Sequence, residues 1–370
     1  MTLNTDFHKQ AKWRTRRLIM NNDGDDGRVD PAPSIDGFLD RRTSALGESK
    51  VDSIFYCADA FTCGNPDLPP RDYDPLEEMV RWCRGHDREI FYSMRMNDQH
   101  DAGWERMMPW KEAHRDWLMN IKDGYPKWSW SMIDYSIEGV RDKVFESLES
   151  FASGYDVDGL ELDFCRHFCL FRSQMKGEPV TQDERDLMTD LMRRVRTMTR
   201  EIADRRGKPM LIALRLFDDV DYCREAGIDL GLWLEEGLVD LITSGDYFKL
   251  RPWSDWAALG KQYDLPVYAC LEPRRFPLAG IKGQEIIEGE ANLPCWRGEA
   301  LSAWRAGVNG IYTFNRFDSR DPLFSELHDP ELLERLEHVD IETFSGGVET
   351  HYFDPGFWIK GGRRFLKDDI

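Results

Sequence analysis

Short apolar runs recur along the chain, each followed by a polar loop and then by residues spaced for a helix. Eight runs read as strands: Arg17–Asn22, Ser53–Ala58, Glu89–Met94, Val157–Phe164, Pro209–Leu216, Val239–Ser244, Pro266–Glu272 and Val308–Asn315. Three of the stretches between them read clearly as helices. Asp183–Arg205 carries Leu187, Leu191, Val195, Met198 and Ile202 on one face, with a Thr181-x-x-Glu184 capping box before it and Gly207 after it. Ile137–Phe151 has Val140, Val144 and Leu148 in register, and Asp74-Pro75 opens a third helix that Gly85 closes. Strands that alternate with helices build a parallel sheet. A doubly wound open sheet is the alternative, but eight repeats in 370 residues fit a closed (β/α)8 TIM barrel better. The barrel is expected over residues 1–340, with 341–370 a Gly- and aromatic-rich tail packed on it. Two connections are too long for plain turns, Asn97–Ser136 after the third strand and Pro273–Gly298 after the seventh. Long loops in compact domains are usually functional, and both leave the strand ends where such barrels keep their active sites.

Side-chain alternation then sorts the candidate chemistry. In the fourth strand Leu160, Leu162 and Phe164 share the face toward the helices. Gly159, Glu161 and Asp163 share the face toward the barrel axis. Carboxylates inside a barrel are costly unless paired or used. The seventh strand ends at Glu272, which puts a further carboxylate at the mouth. Asp163, Glu272 and the deeper Glu161 are therefore the candidate catalytic residues. Cations gather at the same face: Arg95, Arg166, Arg215, Arg251, Arg274, Arg275 and Arg316 all end or follow strands. Two readings are open. Guanidinium forks bind sulfate and carboxylate, which points to an anionic substrate; or the arginines neutralise carboxylates such as Asp163, Glu272 and Asp246. Asn97, His100, His167, Asp246 and Asn315 stand beside them as polar substrate-binding candidates, the histidines as acid, base or donor. Of the tryptophans, Trp104, Trp110, Trp117, Trp128 and Trp130 lie in the first long loop, and Trp296 ends the second. Aromatic faces stack on sugars, and Trp128 and Trp296 are the substrate candidates among them.

Composition narrows the partners. The net charge is -19, from 49 Lys+Arg against 68 Asp+Glu, which argues against nucleic acid and anionic lipid. No uncharged apolar run approaches a membrane span. Eight cysteines without a CxxC pair make neither a disulfide scaffold nor a zinc site, and no metal or other cofactor is expected. Walker A, GxGxxG and GxSxG motifs are missing, and Asn21–Asp26 fails the calcium-loop spacing. The N-terminal residues lack an apolar signal core, so the expected location is cytoplasmic unless a leader has been removed.

One stretch resembles a known family. Asp134-Tyr135-Ser136, Val140-Arg141-Asp142 and Tyr155-Asp156-Val157-Asp158-Gly159-Leu160-Glu161-Leu162-Asp163-Phe164 resemble the family 10 glycosyl-hydrolase-like barrels, with their "Y-D-V-D-G-I-H-F-D-D-Y" run. Glu161 replaces the family's His, and Phe164 its second Asp. The resemblance implies an active-site role for Asp163. The run is also similar to the chitinase signature, but Cys165 stands at the place of its essential Glu. The expected protein is a glycoside hydrolase acting on a sulfated or uronic-acid-containing glycan. A lyase or isomerase acting on a small carboxylated metabolite, and an inactive carbohydrate-binding barrel, are the alternatives.

Overall fold

The computed structural model describes residues 5–28, 32, 34–58, 72–103, 107–121, 129–165, 167–272, 292–340, 354 and 356–366. Eight parallel strands form a closed barrel: β1 (Leu18–Asn22), β2 (Ser53–Tyr56), β3 (Glu89–Arg95), β4 (Gly159–Asp163), β5 (Leu211–Leu216), β6 (Leu241–Ser244), β7 (Val267–Leu271) and β8 (Gly310–Thr313). Each lies within its predicted run, except that β3 extends one residue further, to Arg95. The order is sequential around the ring, and β8 pairs with β1 to close it. Around the barrel run α1 (Thr5–Lys12), α2 (Ile35–Arg42), α3 (Pro75–Gly85), α4 (Glu138–Gly154), α5 (Gln182–Arg206), α6 (Leu230–Glu235), α7 (Trp253–Gln262), α8 (Leu293–Ala306) and α9 (Pro330–Arg335), with shorter helical turns in the loops.

Helix ends follow from their sequences. The Asp74 carboxylate accepts from the backbone N–H groups of Leu76 and Glu77, with Pro75 at the first helical position of α3. The Thr181 hydroxyl accepts from Glu184 N–H while the Glu184 carboxylate accepts from Thr181 N–H, closing the capping box of α5. That helix ends at Gly207, whose φ of 64° is the left-handed turn glycine adopts without strain. The α5 face carrying Leu191, Val195, Met198 and Ile202 is buried, as the periodicity predicts.

The barrel interior is layered. At the N-terminal end Arg16 is buried and clamped by both oxygens of Glu89, at 2.5 and 2.7 Å, and the Ser53 hydroxyl donates to the same carboxylate at 2.7 Å. The middle is aromatic: Phe55 stacks on Phe91 at 4.3 Å and meets the edge of Tyr312. Gly159 lies beside Phe91 in register, and a Cβ there would sit 2.3 Å from the Phe91 ring. This position therefore requires glycine for space. Above the aromatic layer the interior turns ionic. Across the mouth, Arg95 pairs in register with Asp163, and Asp163 with Arg215.

Candidate active site

The rung Arg95–Asp163–Arg215 is the centre of the site. Arg215 is fully buried. Its Nη1 donates to both oxygens of Asp163 at 3.0 Å, its Nη2 donates to Asp246 at 2.7 Å, and its guanidinium lies 3.7 Å from the Phe314 ring centroid. A buried cation needs such company. Burial alone would depress the guanidinium's basicity, and the two carboxylates outweigh it and raise it well above the ordinary value. Both Asp163 oxygens thus accept from one guanidinium nitrogen, a charge-assisted contact.

Glu161 lies one layer below on the same face, also fully buried. Its Oε2 accepts from the Ser93 hydroxyl at 2.5 Å and the Tyr312 hydroxyl at 3.2 Å. Its Oε1 has no hydrogen-bond partner among the described residues. Burial and the adjacent Asp163 charge push its pKa up to about 8. Both the desolvation and the neighbouring charge act in the same direction, toward the protonated form of Glu161.

Glu272 follows the last residue of β7 and is buried. The Asn315 amide donates to it at 2.8 Å. Asn315 reaches it from a left-handed backbone with φ of 55°, a conformation costly for most side chains and tolerated by asparagine.

A second cluster occupies the loops after β3 and β4. Asp98 is buried, its Oδ2 accepting from Arg95 at 3.1 Å and its Oδ1 from the His100 backbone N–H at 2.8 Å. The His100 ring bonds to Oδ1 through Nδ1, and His167 Nδ1 lies 3.8 Å from the same oxygen. Burial alone would raise the Asp98 pKa; His100, His167 and Arg95 together bring it well below the ordinary value. Lys111 and Asp101 form a fully buried ion pair at 2.8 Å beneath this loop. Trp358, from the C-terminal segment, meets the His167 ring edge-on at 5.5 Å.

The sequence-predicted residues divide accordingly. Asp163, Glu161, Arg95, Arg215 and Asp246 meet at the mouth, and Glu272 with Asn315 joins that rim from β7 and β8. Asn97 does not face a ligand space: its amide donates to the Ile133 and Cys169 carbonyls, and its Oδ1 accepts from Ile133 and Asp98 N–H. It staples two loops together, a correction to its expected substrate role. Trp296 lies in the first turn of α8 and is fully buried, so it is core rather than a stacking face. Arg316 is held by Asp321 and by Asn292 at 3.1 Å. Arg166, Arg274, Arg275, Trp104 and Trp128 lie outside the described residues. Asp98 was missed by sequence reasoning. Its signal was the carboxylate two residues before His100 in Asn97-Asp98-Gln99-His100-Asp101, just past a strand end.

Comparison with known families and with curated proteins gives no match. Among solved structures, the chain is similar to a glycoside hydrolase family 18 N-acetylglucosaminidase from Paenibacillus barengoltzii, with 13% identity over 87% of this chain and 100% of that one, TM-score 0.47. It is also similar to an Anoxybacillus alpha-amylase, with 13% identity over 89% of this chain and 79% of that one, TM-score 0.46. A family GH36 alpha-galactosidase variant from Geobacillus stearothermophilus shows 11% identity over 89% of this chain, which spans 44% of that protein, TM-score 0.47. The barrel assignment stands on the eight-strand closure itself.

Proposed function

We propose that this chain is a glycoside hydrolase that cleaves O-glycosidic bonds at the C-terminal mouth of its barrel. The observation that carries the reading is two buried carboxylates brought to one end of the barrel, Asp163 at the end of β4 and Glu272 directly after β7. Glycoside hydrolysis uses one carboxylate as nucleophile or base and a second group as acid. Asp163 takes the first role. Glu272, the other buried carboxylate at the strand ends, takes the second. The short resemblance of Asp134–Phe164 to the family 10 glycosyl-hydrolase-like barrels supports the same role for Asp163.

The substrate's charge is a separate question. Arg95, Arg215, Arg251 and Arg316 each face a protein carboxylate: Asp98, Asp163 with Asp246, Asp219 and Asp321 respectively. This favours the neutralising role for these four. Recognition of a sulfated or uronic sugar falls to Arg166, Arg274 and Arg275. The same pairings weaken the rival reading, an arginine-clamped lyase or isomerase on a small carboxylate.

The test is product release from sulfated, uronic and neutral glycans by wild type, Asp163→Asn and Glu272→Gln, with circular dichroism confirming each fold. Cleavage of one glycan class is expected, reduced by about 10²–10⁴-fold or more in each variant. Activity surviving Asp163→Asn would overturn the site, and cleavage of no glycan would overturn the hydrolase reading.

A further inference from the structure

We propose that Asp98, His100 and His167 form a binding site for a divalent transition-metal ion at the barrel mouth, next to but separate from the Asp163 rung. The donor atoms of the three side chains all lie within 4.8 Å of one another. The set is two imidazoles and one carboxylate. Imidazole nitrogen suits Zn²⁺, Co²⁺, Ni²⁺ or Fe²⁺, whereas Ca²⁺ and Mg²⁺ take oxygen ligands.

The surroundings are those of a supported ligand set. Asp98 Oδ2 is fixed by Arg95 at 3.1 Å, which orients Oδ1 toward the two rings. The charge of Arg95 is in turn offset by Asp23 at 4.0 Å and by Asp163 beside it in register. His167 is held between Trp358 and His100, both edge-on, at 5.5 and 5.0 Å. A hydrogen bond such as that from Arg95 fixes the orientation of a ligating carboxylate. Asp98 and His167 are buried, while the His100 side chain is 45% exposed. The exposed ring has room to swing, and the gap to close is modest. Bonds of about 2.0–2.2 Å let one ion bridge donors up to about 4.4 Å apart. Three protein ligands leave coordination positions that water or a substrate oxygen can take.

The alternative is a metal-free cluster in which His100 Nδ1–H donates to the Asp98 carboxylate. The two differ in what Co²⁺ does. The full-length protein is stripped with a chelator and titrated with Co²⁺ while the visible spectrum is recorded. Melting temperature is followed separately against Zn²⁺. The expected result is one equivalent bound, with ligand-field bands, no thiolate-to-metal charge transfer and a rise in melting temperature. His100→Ala and His167→Gln should each weaken binding by about 100-fold or more, at least what losing an outer-shell partner costs. His100→Ala alters a half-exposed ring, so it reads the site in a folded protein whatever His167→Gln does to stability. Failure to bind, thiolate charge-transfer bands, or affinity unchanged in His100→Ala would each overturn the proposal.

Discussion

Glu161 shows how far one side chain's environment reaches. Burial and the neighbouring Asp163 charge raise its pKa from the ordinary carboxylate value toward about 8, so through that window the folded protein binds more protons than the unfolded chain. The sign follows directly: this contribution to stability is complete below the lower value, declines as pH rises, and is gone above the upper one. Glu161→Gln should remove that decline, on the order of 1 kcal/mol per pH unit. Urea melts at about pH 5 and about pH 9 check it; a variant with the wild-type pH slope would show that Glu161 is ionised in the folded state. The inward direction of Glu161 and Asp163 was legible, because a strand's period of two leaves no choice once Leu160 and Leu162 face the helices. The partners were not. That Arg215 takes Asp163 and Asp246 depends on the stagger between neighbouring strands, which no single strand encodes, whereas Arg95 meets Asp98 only three residues on in the same chain segment. Asn97 and Trp296 mark the same limit, since residue type cannot separate a loop staple or a core indole from a ligand contact.

At the scale of elements, capping chemistry and periodicity located α3, α4 and α5 because each signal is contained within a few turns. The six-residue α6 and α9 show too little periodicity to be read with the same certainty. Gly159 is an element-level constraint of another kind. It sits in a strand, where glycine is unfavourable, and its value lies in the space it leaves for Phe91. Gly159→Ala should push the Phe55–Phe91 stack out of place and destabilise the barrel by about 1–3 kcal/mol, read as a lower urea midpoint with an unchanged m-value. An unchanged midpoint would mean the aromatic layer can yield.

For the whole molecule, a net charge of -19 sits on a barrel in which, among the described residues, Arg95, Arg215, Arg251 and Arg316 are committed to internal pairs. Surface repulsion is screened by salt, and buried pairs are screened much less. Melting temperature should therefore rise between about 0.01 and about 0.15 M sodium chloride, as the screening length falls from about 30 to about 8 Å. A fall would mean that attractive surface pairs dominate. The eight-fold count was legible from sequence, since each unit repeats the same run of apolar strand, polar loop and helix. Closure was an inference from length, and the β1–β8 pairing bears it out. That seam also has a consequence during synthesis. The Thr313 hydroxyl donates to the Ile19 carbonyl across 294 residues of chain, so β1 emerges from the ribosome long before its second neighbour exists. Until then the nascent sheet has two open edges, an invitation to pair with other chains. The last strand to be translated is the one that ends that exposure.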